Sequence, residues 1–460
     1  MKKNFNKKEN IVDKSTALEG FKRTTLDIKP KREKIILGMF IFAVLIILSF
    51  LVSFKTTVLI YSFFVTYIFM SYLVIWIDTY NKNEKLPPEP KKWPNVSIVI
   101  PSYNSLHTIF DTIKACKALK YKAKKEIIVV DDGSTDGSYE KLQKEKGIIL
   151  IKNEKNAGKA AALNKGIKHA KYEIVACIDS DTYPQEDALE KAVRYFYVEE
   201  KVGAVAFAIQ VNDPKNLIQK IQEVEYMVSF GLFFRTLSKI GGLYVAPGPM
   251  VLYKKEIFEK LGFFDEQNIA EDMEITLRMQ RYGWKIKACY FTKVRTETPT
   301  TLKGLFKQRL RWIRGGIMNF LKYSDILFNP AYGDFGMFIT PIVFGSGFIV
   351  FLFISWTILQ YLKNLLTFGG ALILNAKYIS LDLIRLPTSI YSIDSFFIFG
   401  LINIIFWMLF VYLSFKINKE RLQKTHLLPL LVMMWVYPVF IGIVFLSSYL
   451  LELTAQKYKW

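Results

Sequence analysis

Cysteine and histidine are scarce, with three of each in 460 residues. Cys116, Cys177 and Cys289 are too few for a disulfide framework, and with so little histidine a Cys/His metal centre is excluded. Cys177 lies in an apolar run, where a buried thiol is the natural reading. Acids are also in the minority, 41 against 62 lysines and arginines, for a formal charge of +21. No nucleic-acid-binding signature accompanies that excess, so no nucleic-acid partner is expected. The basic residues crowd the flanks of apolar blocks, which fits the positive-inside rule and anionic lipid better. No cleavable leader is evident, because residues 1–34 form a polar, lysine-rich tail, expected to be cytoplasmic.

Apolar residues are abundant: 51% of the chain is hydrophobic, with 37 phenylalanines, and these gather in blocks near both ends. Residues 35–54 and 58–77 each suffice to cross a bilayer core as a helix, so 35–78 reads as a two-helix hairpin. "KPKREK" before it and "NKNEKLPPEPKKWP" after it place both flanks in the cytoplasm. Residues 79–94 read as a linker. Three more candidate spans, 337–361, 395–415 and 427–449, fill the region 337–451. The expectation is a multi-pass protein of the cell (plasma) membrane with its central domain, 95–298, on the cytoplasmic side.

In that centre the texture changes to strands alternating with helices. "VSIVIP" (96–101), "KEIIVVDD" and "YEIVACID" are buried-strand runs, and "IFDTIKACKAL" (109–119) has helical spacing. The pattern predicts an α/β fold with a mostly parallel sheet that carries its site at the strand C-termini. Two stretches, 216–234 and 301–320, show apolar residues at helical spacing and read as helices lying in the membrane interface. In the second, Leu302, Leu305, Phe306, Leu310, Ile313, Ile317 and Phe320 form one stripe, with Lys307 and Arg314 available to lipid headgroups.

Chemistry-bearing residues fall at the strand ends. "CIDSDT" supplies Asp179 and Asp181, a pair able to hold a hard divalent cation with positions left for phosphate oxygens. "VVDDGSTDG" supplies Asp131 and Asp132, which can accept a base N–H or ribose hydroxyls. "PSYN" offers Tyr103 as a stacking face, and Lys159 follows Gly158 at a helix start suited to a diphosphate. "AEDMEITL" opens a helix with Glu271 and Asp272. Acids in a first turn are also favourable dipole partners; as a general base, Asp272 is the better candidate of the two.

These motifs, followed by "QRLRW", resemble the membrane-integrated family 2 glycosyltransferases, which include cellulose, chitin, hyaluronan and poly-N-acetylglucosamine synthases. The resemblance covers roughly residues 95–325, and "TLKGLFKQRLRWIRGG" looks most like the poly-N-acetylglucosamine group. It implies a GT-A nucleotide-sugar-binding domain inserted between the transmembrane helices, with an interface helix over 299–325, a UDP-sugar donor and Mg²⁺ or Mn²⁺. Asp132, with Asp131 beside it, would contact the uridine, and Tyr103 would lie against the uracil. Lys159 would lie near the diphosphate, Asp179 on the nucleotide side and Asp181 on the metal. Asp272 would be the base, and Gln308, Arg311 and Trp312 would serve the diphosphate and acceptor. "APGPM" (246–250) resembles the acceptor-lining segment. Ala270 is a departure, since many relatives have Thr there.

The implied activity is an inverting hexosyltransferase that extends and exports a β-linked polysaccharide, with N-acetylglucosamine as the favoured unit and a possible accessory membrane subunit. The alternatives are a single sugar addition to a lipid-linked or polyprenyl-phosphate acceptor, and, more remotely, a non-enzymatic membrane scaffold.

Overall fold

The computed structural model describes residues 54–80, 85–347, 395–453 and most positions of 349–359. The tail 1–34 and nearly all of the first expected span lie outside the described residues, and the third span, 337–361, lies only partly within them.

The central domain is built on one sheet of eight strands: β1 (Val96–Ser102), β2 (Lys125–Asp131), β3 (Ile149–Lys152), β4 (Ile174–Ile178), β5 (Thr182–Pro184), β6 (Val202–Val211), β7 (Met250–Lys254) and β8 (Lys285–Thr296). Their spatial order is β3-β2-β1-β4-β7-β6-β8-β5. β1 pairs in parallel with β2 and β4, β2 with β3, and β6 with β8. β7 is antiparallel to β4 and β6, and β5 to β8. The sheet is therefore mostly parallel, as the alternation predicted, with two reversed strands that no apolar run distinguishes.

Every residue of β1 is buried, which is why its sequence is nearly continuous in apolar and β-branched residues: it is covered on both faces. Alternate side chains serve opposite cores. Val99 joins Ile128, Val130, Leu163 and Ile167 on one face, while Ile98 and Ile100 join Ile109, Ile113 and Cys116 on the other. Helix α1 (Phe54–Tyr80) precedes the domain, α2 (Ile109–Ala118) covers the second face and α3 (Lys159–His169) the first. All three cysteines are free and buried, Cys177 among them.

α4 (Leu217–Val228) and α6 (Leu302–Lys322) are the two expected amphipathic helices, and α5 (Glu271–Arg281) lies between them in sequence. α7 (Ser395–Ile417), α8 (Leu427–Trp435) and α9 (Tyr437–Leu453) follow. Two helical stretches, Val58–Asp78 and Ile398–Ile417, are long and apolar enough to cross a membrane. They meet through a Thr66–Asn403 hydrogen bond of 3.2 Å and the stacked rings of Phe69 and Phe410.

The expected span 427–449 is not one straight helix but the pair α8 and α9, bent by 48°. Pro438 accounts for the break, since it has no N–H to continue the helical ladder. α4 does not lie bare. Val224, Met227 and Val228 form a buried cluster with Val411 and Phe415 of α7.

Candidate active site

The C-terminal ends of β1, β2 and β4 bring the predicted residues to one edge. Asp131 ends β2 fully buried; its Oδ2 accepts the Ser134 N–H at 3.2 Å, while Oδ1 has no partner among the described residues. Asp132 is equally buried but fully engaged. Oδ1 accepts from Asn153 Nδ2 (2.7 Å), and Oδ2 from the Gly158 N–H (2.8 Å), with the Ala157 N–H shared between them. Between the two sides of this loop, Gly133 has φ +75°, and a Cβ there would come within 2.9 Å of the Lys155–Asn156 backbone. Asp132 thus fastens the loop that starts α3, while the buried carboxylate oxygen without a partner belongs to Asp131. Tyr103 stands half exposed on the neighbouring loop, which Asn104 ties to the β2 turn by accepting the Thr135 N–H at 2.8 Å.

Lys159, the first residue of α3, reaches Asp179 Oδ1 at 2.6 Å and Glu271 Oε1 at 3.3 Å. Burial alone would lower its pKa, but Asp179 and Glu271 hold it above the usual lysine value. The turn carrying the acid pair is pinned from several sides. The Asp179 N–H donates to the Pro249 carbonyl (3.0 Å), the Thr112 hydroxyl to the Ser180 carbonyl (2.9 Å), and the Glu297 N–H to the Asp181 carbonyl (3.1 Å). β7 running antiparallel to β4 is what brings Pro249 to the end of β4. Asp181 accepts the Thr296 hydroxyl at 3.3 Å. Burial and the charge of Asp179 raise its carboxyl to about 6.

Among the described residues no three His, Cys, Asp or Glu side chains gather as a complete metal cage. Two carboxylates at the end of β4, one raised toward neutrality by burial and by the charge of the other, suit a hard divalent cation with coordination positions left for further oxygens.

Asp272, in the first turn of α5, accepts the Gly248 N–H on Oδ2 (3.0 Å) and the Met273 N–H on Oδ1 (2.8 Å). Its carboxyl is raised to about 6, first by burial and then by Glu271, against the pull of Lys159 and Arg311. Glu271 is 4% exposed and spends its charge on Lys159, which leaves Asp272 as the acid of the pair facing Gly248. A Cβ at Gly248 would sit 3.1 Å from Asp272 Oδ2 and 3.2 Å from Lys159 Nζ. The "APGPM" segment therefore passes directly over both.

α6 begins at Thr301, whose hydroxyl accepts the Gly304 N–H at 3.1 Å. It carries Gln308, Arg311 and Trp312: Arg311 acts electrostatically on Lys159 and Asp272, the Trp312 ring lies 6.5 Å from that of Tyr226, and Gln308 Oε1 accepts from the Arg309 guanidinium at 2.5 Å. The expected lipid-facing stripe is corrected in part. Leu305 is 2% exposed, within the protein, and Arg314 is buried against α9 with Nε 2.6 Å from Glu452 Oε1. Phe306 meets Phe440 of α9 edge to face. Lys307 is exposed.

The second half of α6 is stapled to the segment before α5. Asn319 and Asn268 share a 2.7 Å hydrogen bond, and Asn319 Nδ2 also donates to the Ala270 carbonyl at 3.2 Å. Gly315 lies so close to Ala270 that a Cβ at 315 would be 2.4 Å from the alanine methyl. Sequence reasoning passed over Arg309, Glu225 and Tyr437, which meet beside Trp312. The position of Arg309, three residues before Trp312 on a helix, was a usable signal; nothing in the chain order connects Glu225 or Tyr437 to it.

The eight-stranded sheet with its site at the strand ends is a GT-A glycosyltransferase fold, and residues 97–262 match glycosyl transferase family 2. The mannosyltransferase PcManGT of Pyrobaculum calidifontis, solved with GDP-Man and Mn²⁺, shares this fold at a TM-score of 0.54 and 19% identity, over 87% of this chain and 99% of that one. In sequence the chain is similar to the poly-beta-1,6-N-acetyl-D-glucosamine synthase of Staphylococcus aureus strain COL, 34% identical over 52% of this chain and 58% of that protein. It is also similar to the synthase of the same name from Staphylococcus epidermidis, 32% identical over 53% and 60%. The chain thus spans about three fifths of the curated relatives it matches.

Proposed function

We propose that the chain is a membrane-bound inverting hexosyltransferase that moves a sugar, N-acetylglucosamine first among candidates, from a UDP-sugar to a growing β-linked polysaccharide. The observation that carries this reading is the convergence of Lys159, Asp179, Glu271 and Asp272 at one sheet edge, beneath Gly248 and within electrostatic reach of Arg311. Similarity to synthases of poly-beta-1,6-N-acetyl-D-glucosamine supports the choice of sugar and polymer.

In this reading the uracil lies against Tyr103, and the buried, unpartnered Oδ1 of Asp131 accepts its N–H, while Asp132 acts through the loop it fastens. Lys159 holds the diphosphate. Asp181, with Asp179 on the nucleotide side, would hold Mg²⁺ or Mn²⁺, which when bound supplies positive charge to the departing diphosphate. Asp272 takes the proton from an acceptor hydroxyl as that oxygen forms its bond to the sugar C1. The C1–O bond to UDP breaks on the opposite side, and its electron pair leaves with UDP. Lys159 and Arg311 stabilise that charge from fixed positions. A single displacement converts an α-linked donor to a β-linkage. α1, α7 and the bent pair α8–α9 serve as spans that keep this edge at the cytoplasmic face of the plasma membrane, with the growing chain passing outward between them.

The test is the purified protein in lipid nanodiscs with UDP-[¹⁴C]GlcNAc and Mn²⁺. High-mass product sensitive to β-hexosaminidase is expected. Product carrying one sugar on lipid removes the polymer reading, and transfer from no UDP-sugar removes the enzyme reading.

A further inference from the structure

The "QRLRW" stretch contains a second arginine, between Gln308 and Arg311, to which the predicted set gives no task. Arg309 is 3% exposed, where an uncompensated guanidinium would be costly, and the chain surrounds it from three helices. Glu225 of α4 pairs with Nη2. The Tyr437 hydroxyl, at the first residue of α9, accepts from Nε at 3.1 Å and donates to Glu225 Oε2 at 2.9 Å. Within α6 itself, Nη1 donates to Gln308 Oε1 at 2.5 Å. The guanidinium carbon lies 4.1 Å from the centre of the Trp312 ring, within the range of a cation–π contact. One planar group thus touches two of the three signature side chains and is itself held by two other helices.

We propose that Arg309 is a positioning residue: it sets the Trp312 ring and the Gln308 carboxamide for sugar transfer, and Glu225 and Tyr437 hold it in place from α4 and α9. This rests on the transferase reading above. The task calls for a planar fork. A lysine can still meet Glu225, but a point charge cannot donate in three fixed directions while lying flat on an indole. A purely stabilising role is separable from this one, because a buried ion pair replaced on both sides by apolar side chains often loses no stability. Arg309→Met combined with Glu225→Met therefore removes the charges without stranding either, and leaves Trp312 without its partner.

The experiment uses full-length protein labelled with 5-fluorotryptophan, the Trp312 ¹⁹F resonance being assigned with Trp312→Phe. It compares wild type, Arg309→Lys and the Arg309→Met/Glu225→Met double variant. Both variants are expected to shift or broaden the Trp312 resonance while keeping UDP binding within about threefold of wild type. Transfer kcat is expected to fall about 10²-fold, the scale of a misplaced reacting geometry, with little change in donor KM. An unmoved Trp312 resonance in Arg309→Lys, or wild-type kcat in either variant, overturns the proposal. The resonance needs no turnover, so it decides the role of Arg309 even if the wild type transfers no sugar, the outcome that removes the transferase reading alone.

Discussion

Replacing Asp272 by asparagine removes the proposed base while preserving its shape, with opposite consequences for turnover and for stability. A positioned general base contributes about 10²–10⁴ in rate, or about 3–5 kcal/mol of barrier, so kcat should fall by that factor. Asparagine offers one acceptor oxygen to two N–H groups, those of Gly248 and Met273, and leaving one unmet costs about 1–3 kcal/mol. Against this, the wild-type carboxyl is raised to about 6. The folded state binds that proton more tightly than the unfolded chain does, so this group stabilises the fold most at low pH and loses that contribution as pH rises through 6. At pH 7.5 the substitution removes a buried charge, which offsets the unmet N–H. Thermal stability should therefore change little while transfer collapses.

The pH profile supplies a second reading of the same group. The base works ionised, so wild-type kcat should decline below pH 6, with about a tenth of the molecules active at pH 5. Initial rates of UDP release with acceptor present, from pH 5 to 8 at saturating Mn²⁺, measure both. Asp272→Asn protein with undiminished transfer would refute the assignment, and so would a wild-type profile flat down to pH 5.

Other outcomes follow from neighbouring contacts. Protons compete with the cation at Asp181, raised to about 6, so the Mn²⁺ concentration for half-activation should rise as pH falls below 6; Asp181→Asn should flatten that dependence in Mn²⁺ titrations. Asp132→Ala releases Asn153, Ala157 and Gly158 together and should raise donor KM about tenfold or more, since several charge-assisted bonds of about 1.5 kcal/mol or more are lost. Limited proteolysis should then cut near residue 155. Gly248→Ala puts a methyl 3.1 Å from the Asp272 carboxylate and 3.2 Å from Lys159 Nζ and should lower kcat about tenfold or more by displacing them. Arg314→Met leaves Glu452 without its 2.6 Å partner, and the lost charge-assisted hydrogen bond should cost about 1.5 kcal/mol. It should be read as a lower melting temperature with unchanged turnover per folded molecule.

The gathering of the site residues at one sheet edge was readable from sequence because each element is local. An apolar run ending in acids predicts both a strand and its functional end, as at Ile178–Asp179 and Val130–Asp131. Strand direction is not local: period-two burial is the same for either sense, so the reversal of β7, and with it the approach of Gly248 to Asp272, had no sequence signal. The pairing of Asp131 and Asp132 was legible, but their division was not, because it depends on which backbone N–H groups the loop 153–158 turns inward. Helical periodicity found α6 but misassigned part of its outer face. Leu305 belongs to the expected membrane-facing stripe and Arg314 was expected at lipid headgroups, yet protein covers both, and an apolar stripe does not say whether lipid or another helix covers it. The bend at Pro438 was readable in principle, since proline breaks the ladder wherever it falls inside a span.

The contact between Gly315 and Ala270 ties two distant positions into one unit of variation. Ala270 immediately precedes the acids Glu271 and Asp272, and Gly315 follows Trp312 by less than a helical turn. Enlarging either residue pushes α6 away from the start of α5, altering the separation between the Asp272 carboxylate and the Trp312 ring. A threonine at 270 then becomes acceptable only where the facing helix yields room, so the two sites should accept or refuse bulk jointly. Within this chain they act as a spacer whose thickness is set to a methyl against a hydrogen.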